Sequence, residues 1–451
     1  MSIAQIVAIV IFILMFATII SGKMHRCIPA LIGAALTIIV TFLLIMHSTD
    51  AVWGTLNFSS IAEKAFWFPG SSHSESTTGI NWATIIFITG MMIMVEGLGD
   101  AGFFRWLCLF LAKKVKYKVI PLCIVFMILS AFLAMFIDSI TVILFLAAVT
   151  IELARLLKFN PIPMIISEIF ASNLGGAATM SGDPPNIIIG TAFGYTFMDF
   201  FLNTGMIVWI CMAIMLVFFF FMYRKELHVA NDNTSDIVYP QPSEAIKNKG
   251  AFAIATIIFL LMVVALVLHG QLGWSVAFIG SVAALLTLLT NIKKVWPLLK
   301  KVDWLTILFF IGLFIVVGGL EQTGVLDKVS DLISYLSGDN IIIAIAIILW
   351  LSAFFSGIVD NIPLAATMVP VIKTLSMTAG FDLHTLAYTL ALGTDIGGNA
   401  TPIGASANVV GTSICEREYQ PIRWKTYLKA SVPATIITLG VCMVYIIIRY
   451  V

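Results

Sequence analysis

Four aspartates stand where an apolar chain can least accommodate them. Asp138 in "FIDSIT" and Asp360 in "IVDNIP" interrupt long apolar runs, and Asp183 and Asp395 lie in "SNLGGAATMSGDPPNIIIG" and "TDIGGNATPIGASANVVG". An acid at the centre of a membrane helix costs about 2.5 to 3.5 kcal/mol on insertion scales, so each asks for a cation, a proton or a fixed partner. The two longer segments carry paired glycines, Gly175 with Gly176 and Gly397 with Gly398, and the first adds Pro184 and Pro185. Helix breakers survive in hydrocarbon only where protein or a watery cavity covers the freed backbone groups. Each segment is therefore expected to be a half-helix, an unwound linker and a second half-helix, the glycines giving conformational freedom and room for close approach and the prolines starting the second half.

A half-helix N-terminus aimed at mid-membrane can bind an anion, and carbonyls released by the preceding half suit Na⁺ or a proton-carrying water. Thr179, Asn186, Thr401, Ser406 and Asn408 add neutral donors and acceptors for a polar substrate. Asp183, just before Pro184, could instead cap the second half-helix. For Asp138 and Asp360 a functional role is favoured, because a turn at membrane depth must be stabilised by something bound or by its neighbours. Glu152 and Glu168 are expected to pair with Arg155 and Lys158, and His269 and His384 to lie at an outer edge.

The elements that must position these residues are legible in the composition. Of 451 residues 60% are hydrophobic and 11% charged, with a net charge of +1. That composition implies an all-α polytopic membrane protein and gives no reason to expect nucleic acid. The six cysteines show no metal or disulfide spacing. Uninterrupted spans are expected near 4–22, 27–46, 203–223, 251–268, 273–290 and 430–449, and interrupted ones near 82–104, 164–200, 304–322 and 385–415. The stretches 119–157 and 340–376 each have Asp near the centre and are expected to be re-entrant hairpins. This gives about ten crossings, with both termini outside an integral membrane protein, in the setting of a bacterial plasma membrane. Cytoplasmic loops then hold 21 of the 25 Lys and Arg, among them Arg26, as the positive-inside rule demands.

An internal repeat runs through the chain. "WATIIFITGMMIMVEGLGDAG" at Trp82 returns as "WLTILFFIGLFIVVGGLEQTG" at Trp304, 222 positions on. The same offset joins Asp138 to Asp360, Gly175 to Gly397, Thr179 to Thr401, Asn186 to Asn408, and Asn173 to Asp395. In the expected topology the halves are inverted, a secondary-transporter signature. They are residues 1–223 and 251–451, joined by a cytoplasmic linker at 224–250.

These motifs resemble the ion transporter superfamily permeases that include the arsenite-pump membrane subunit, the melanosomal P protein and the citrate-transporter-like (CitMHS) group. The resemblance implies a scaffold, a mobile transport domain, an elevator-like motion and a homodimer. It places substrate and sodium among Asp138, Ser139, Thr141, Gly175, Gly176 and Thr179 in one half, and Asp360, Asn361, Gly397, Gly398, Asn399 and Thr401 in the other. Na⁺ is expected near Asp138, Ser139, Asp360 and Asn361, and no other cofactor. Ser139 stands where the family usually has Asn, so an amide is lost unless Asn173 replaces it. Asp183 replaces a usual Thr, which leans away from dicarboxylates.

The expected function is Na⁺- or H⁺-coupled secondary transport of a small anion or oxyanion, of arsenite or antimonite type or a carboxylate. A Na⁺/H⁺ antiporter and an anion channel or uniporter are the alternatives. No cysteine lies in the four motifs, although hydrogen bonding to neutral arsenous acid remains open to them. Without HExxH, GxSxG or a Walker A sequence, no enzyme is expected, and any ATP drive would need a separate cytoplasmic ATPase subunit. Membrane lipid is the other expected partner.

Overall fold

The computed structural model describes residues 1–70, 79–227, 239–338 and 340–451, and every regular element among them is helical. Eighteen principal helices follow in two sets of nine. The first set is α1 (Ile3–Ile20), α2 (Cys27–Ile45), α3 (Trp82–Asp100), α4 (Phe103–Lys114), α5 (Val119–Ala134), α6 (Ser139–Leu157), α7 (Ile162–Gly176), α8 (Pro184–Phe193) and α9 (Phe197–Tyr223). The second set is α10 (Lys249–Leu272), α11 (Val276–Thr290), α12 (Trp304–Gln322), α13 (Val325–Ser337), α14 (Ile341–Ser356), α15 (Asn361–Ala379), α16 (Leu383–Gly398), α17 (Ser406–Glu418) and α18 (Trp424–Tyr450). Both ends of α3, α5 and α6 recur in α12, α14 and α15 at the 222-residue offset read from the sequence.

Local signals explain the repeated starts. Asn81 Oδ1 accepts the Thr84 N–H at 2.9 Å to open α3, and Asp303 Oδ1 accepts the Thr306 N–H at 3.1 Å to open α12. Satisfying the orphan donors of a helix start matters most where water cannot. The hairpin aspartates do the same work, Asp138 capping α6 and Asp360 capping α15.

Packing exchanges the halves. Helix α3 lies along α11 and α12 along α2; α6 lies along α17 and α15 along α8; α7 crosses α16 at the centre. The α3–α11 crossing is made by Gly90 and Gly280, where a Cβ on Gly90 would sit 2.1 Å from the Gly280 carbonyl oxygen. Small residues allow such backbone approach between membrane helices. One group of helices is built on α1–α3 and α10–α12, the other on α5–α8 and α14–α17, and they touch where α3 passes α8 and α12 passes α15.

Nine helices among the described residues are long and apolar enough to cross a membrane, with a tenth candidate where α11 continues into Ile292–Lys301 through a 93° bend. The total matches the expectation, but the membership differs. Helices α6 and α15, expected as hairpin arms, are long enough to cross. The halves of the broken helices α7–α8 and α16–α17 are each too short alone, and α5 and α14 have 16 residues each. At 1.5 Å per residue those arms reach about 24 Å, short of a hydrocarbon core of about 30 Å. Part of the expected linker, 228–238, lies outside the described residues; beyond it Tyr239 stacks on Tyr117 at 4.4 Å.

Candidate functional site

The paired breaks face one another around the α7–α16 crossing, and side chains from both hairpin starts converge on Asp183. The Ser139 hydroxyl, at the first residue of α6, donates to Asp183 Oδ1 at 2.7 Å. Asn361 Nδ2, at the matching residue of α15, donates to Asp183 Oδ2 at 2.8 Å. Asp183 makes no side-chain cap to α8, so the capping alternative is overturned: its carboxylate is spent on the two hairpins. Ser139 needs no amide substitute there, and Asn173 does not supply one. Asn173 Nδ2 instead donates to Asn408 Oδ1 at 2.7 Å and to Asn399 Oδ1 at 2.9 Å, joining the halves.

The broken helices are closed differently from the expectation. Asn186 Nδ2 donates to the Gly176 and Thr179 carbonyls at 3.1 and 3.0 Å, and Asn408 Nδ2 to those of Gly398 and Thr401, both at 2.8 Å. Each break thus has these two carbonyls answered by an asparagine one turn further on. Thr179 and Thr401 tie the linkers to the hairpins, donating to the Met135 and Gly357 carbonyls at 2.6 and 2.5 Å. Gly175, Gly176, Gly397 and Gly398 have ordinary negative φ, so conformational freedom is not their use. Close approach is: a Cβ at Gly175 would lie 2.1 Å from the Ala131 carbonyl oxygen, and one at Gly397 would lie 2.3 Å from the Ala353 Cα.

Charge breaks the symmetry. Asp138 is served locally, accepting from the Ile140 N–H at 2.8 Å and the Thr141 hydroxyl at 2.7 Å. Asp360 is paired with Arg26, whose Nη1 lies 2.5 Å from Oδ2 and 2.7 Å from the Ser406 hydroxyl oxygen. Ser406 in turn donates to Asp360 at 2.9 Å, Arg26 Nη2 donates to Thr306 at 3.0 Å, and the guanidinium lies over the Phe309 ring. Arg26 is thus no simple loop charge but the counter-ion of the second hairpin. Sequence reasoning missed it because its 334-residue separation from Asp360 leaves no local trace; its place at the lip of an apolar span was the one available hint. Asp395 is fully buried with neither carboxylate oxygen hydrogen-bonded, beside Asp183, Asn186 and Asn361.

Access is also asymmetric. The first break is closed, with Thr179, Asp183 and Asn186 all buried. The second reaches the surface, where Thr401 and Ser406 are partly exposed and Ile403 is 41% exposed. Helix α8 offers few donors to an anion, since Pro184 and Pro185 have no N–H and that of Asn186 is bonded to the Asp183 carbonyl. An anion would find Arg26 and the start of α17 instead.

Other acids have other partners. Glu152 pairs with Arg105 and Arg155 with Glu418, while Glu168 accepts from the Thr150 hydroxyl and pairs with no cation, correcting the expected Arg155 and Lys158 pairs. His269 is buried, accepting the Phe197 N–H at Nε2, and His384 stacks on Tyr195. A cleft of about 740 Å³ beside Arg105, Glu152, Arg155 and Glu418 is removed from the four aspartates, and these four residues are already paired, Arg105 with Glu152 and Arg155 with Glu418. Among the described residues no cluster of three or more His, Cys, Asp or Glu is placed to hold a metal ion.

The citrate transporter family model, CitMHS, matches residues 13–393. The chain belongs to this family. It is 32% identical over 448 residues to the 46 kDa membrane protein of Mycobacterium leprae, covering 99% of each chain. It is 26% identical to the human P protein, covering 94% of this chain and 60% of that one. Among solved structures, the Alcanivorax borkumensis YdaH transporter superposes with a TM-score of 0.57 at 12% identity, covering 93% of this chain and 95% of that one. Neisseria gonorrhoeae MtrF, described with a class of antimetabolite efflux pumps, has the same TM-score at 10% identity, covering 100% and 95%. These likenesses fix an all-helical transporter fold in an integral membrane protein.

Proposed function

We propose that this family member is an ion-coupled secondary transporter of a small anion or oxyanion, working by an elevator-like motion of the α5–α8 and α14–α17 group against the other helices. One observation carries the reading: two matched breaks and two hairpin starts meet at buried carboxylates, and only one break is open. A carrier needs a site reached from one side at a time, and repeated halves that exchange their packing supply two such arrangements. The short arms α5 and α14 support re-entrant hairpins, which would carry Asp138 and Asp360 at their tips. The anion would lie at the start of α17, where Arg26, Ser406 and Thr401 offer charge and hydrogen bonds, and would compete with Asp360 for Arg26. Sodium near the hairpin tips is the less favoured coupling chemistry here, because Arg26 already balances Asp360 and Asp138 is satisfied by its own helix.

The test is counterflow in proteoliposomes, after thermal-shift screening of the purified protein against arsenite, antimonite, di- and tricarboxylates and chloride. Exchange stimulated by unlabelled solute on the opposite side is the expected result. Flux without counterflow would turn the reading to a channel, and proton-driven sodium movement with no anion to an antiporter.

A further inference from the structure

Asn173 and Asp395 occupy corresponding places in the two halves, on the last turns of α7 and α16. Their surroundings correspond as well. Asn408 faces Asn173, and its counterpart Asn186 faces Asp395. In both halves the facing asparagine has its Nδ2 held by two break carbonyls, which fixes the amide and turns its Oδ1 toward the opposite half. Where the partner is Asn173, an N–H fills that oxygen at 2.7 Å. Where it is Asp395, no hydrogen bond forms: Asn186 Oδ1 and both Asp395 oxygens are buried without a partner at bonding distance and angle, although the Asn186 and Asn361 amides lie beside the carboxylate. An ionised carboxylate has no hydrogen to offer, and unanswered acceptors in a dry interior are costly.

We propose that Asp395 is the proton-carrying residue of the coupling mechanism: protonated, it donates its O–H to Asn186 Oδ1 and restores the bond that Asn173 makes permanently to Asn408. The proposal rests on the ion-coupled transport reading and names its ion. The step is a simple protonation, in which a proton from the water-facing side forms the Asp395 O–H bond and the same bond breaks when the proton leaves on the other side.

The neighbours favour a proton over sodium. Asp183 accepts a hydrogen bond on each oxygen and Asp395 on neither, and two bare carboxylates side by side in a buried site repel each other, which places the proton on Asp395. Asn361 directs N–H groups into the same space, which would oppose a metal cation. From the elements packed on α16, the stretch before α8 supplies Asp183, α8 supplies Asn186 and α15 supplies Asn361. Glu168 of α7 is turned to Thr150, Asp199 at the start of α9 caps with Thr196, α14 has no charged residue, and those of α18 lie toward its ends.

The test uses the full chain in lipid nanodiscs. Infrared difference spectra of the wild type minus Asp395→Asn should show a protonated carboxyl component near neutral pH that disappears in alkali, set apart by the subtraction from other buried acids such as Glu168. That variant carries the N–H which Asn173 carries, so its melting temperature should equal or exceed the wild type's and lose the wild type's fall with rising pH. Asp395→Leu, with no donor, should melt lower than Asp395→Asn. Identical carboxyl bands in the wild type and Asp395→Asn, or a melting temperature raised by NaCl over choline chloride in the wild type and not in Asp395→Asn, would overturn the proton assignment. The expected band without flux in proteoliposomes would sink the transport reading and leave the proton site standing. Flux without the band would do the reverse.

Discussion

Arg26 and Asp360 form the one ion pair at the candidate site among the described residues, and its burial sets its weight. Their side chains are 22% and 13% exposed, so each charge has lost much of its water and depends on the other. Removing one partner of such a pair is costly because it strands the other charge, whereas removing both costs less. Arg26→Gln should therefore lower the melting temperature, and adding Asp360→Asn should recover most of the loss. A double-mutant cycle read by thermal melts should give a coupling of about 1–3 kcal/mol. Additive losses would mean that the pair is incidental to the fold and that Arg26 is free to hold an anion.

At the scale of elements, the two broken helices stand on Asn186 and Asn408. Asn186→Ala would leave the Gly176 and Thr179 carbonyls without their side-chain donor, at a cost on the order of 1–3 kcal/mol for each. Asn408→Ala would lose the equivalent pair and also the acceptor for Asn173, as Asn186→Ala loses the acceptor for a protonated Asp395, so in alkali, where Asp395 has given up its proton, Asn408→Ala should be the more destabilising of the two by melting in detergent. Equal losses would show that the Asn173 bond contributes nothing. The location of these breaks was legible in the sequence because Gly-Gly and Pro-Pro in hydrocarbon have few uses, and the constant offset gave both copies the same register. How the breaks are closed was not legible. Whether an asparagine answers its own helix's carbonyls or a ligand depends on where Oδ1 and Nδ2 point, and the convergence of Ser139 and Asn361 on Asp183 joins residues 44 and 178 positions apart. Composition dictates that such acids need partners, but the choice among them is made by tertiary packing.

For the whole molecule, the asymmetry of the contacts between the two helix groups has mechanical content. At the start of α3, Asn81 Nδ2 donates to Thr191 at 2.6 Å, two turns into α8. At the start of the matching α12, Thr306 accepts from Arg26, and Arg26, just before α2, in turn reaches Ser406, the first residue of α17. Corresponding ends of the first group thus meet the second group at points seven residues out of register, about 10 Å along a helix. A rigid body bound symmetrically would show no such difference; one displaced toward the Arg26 end would. If that displacement is one end of a working cycle, both contacts must break for the other end to be reached. A cysteine pair introduced at 81 and 191, in a background lacking the six native cysteines, should stop counterflow when oxidised and restore it when reduced. That single cross-link should suffice if the group moves as one piece. Undiminished exchange through a protein shown by mass spectrometry to be fully cross-linked at this pair would mean that the two groups do not slide, and that solute passes between them while they stay in place.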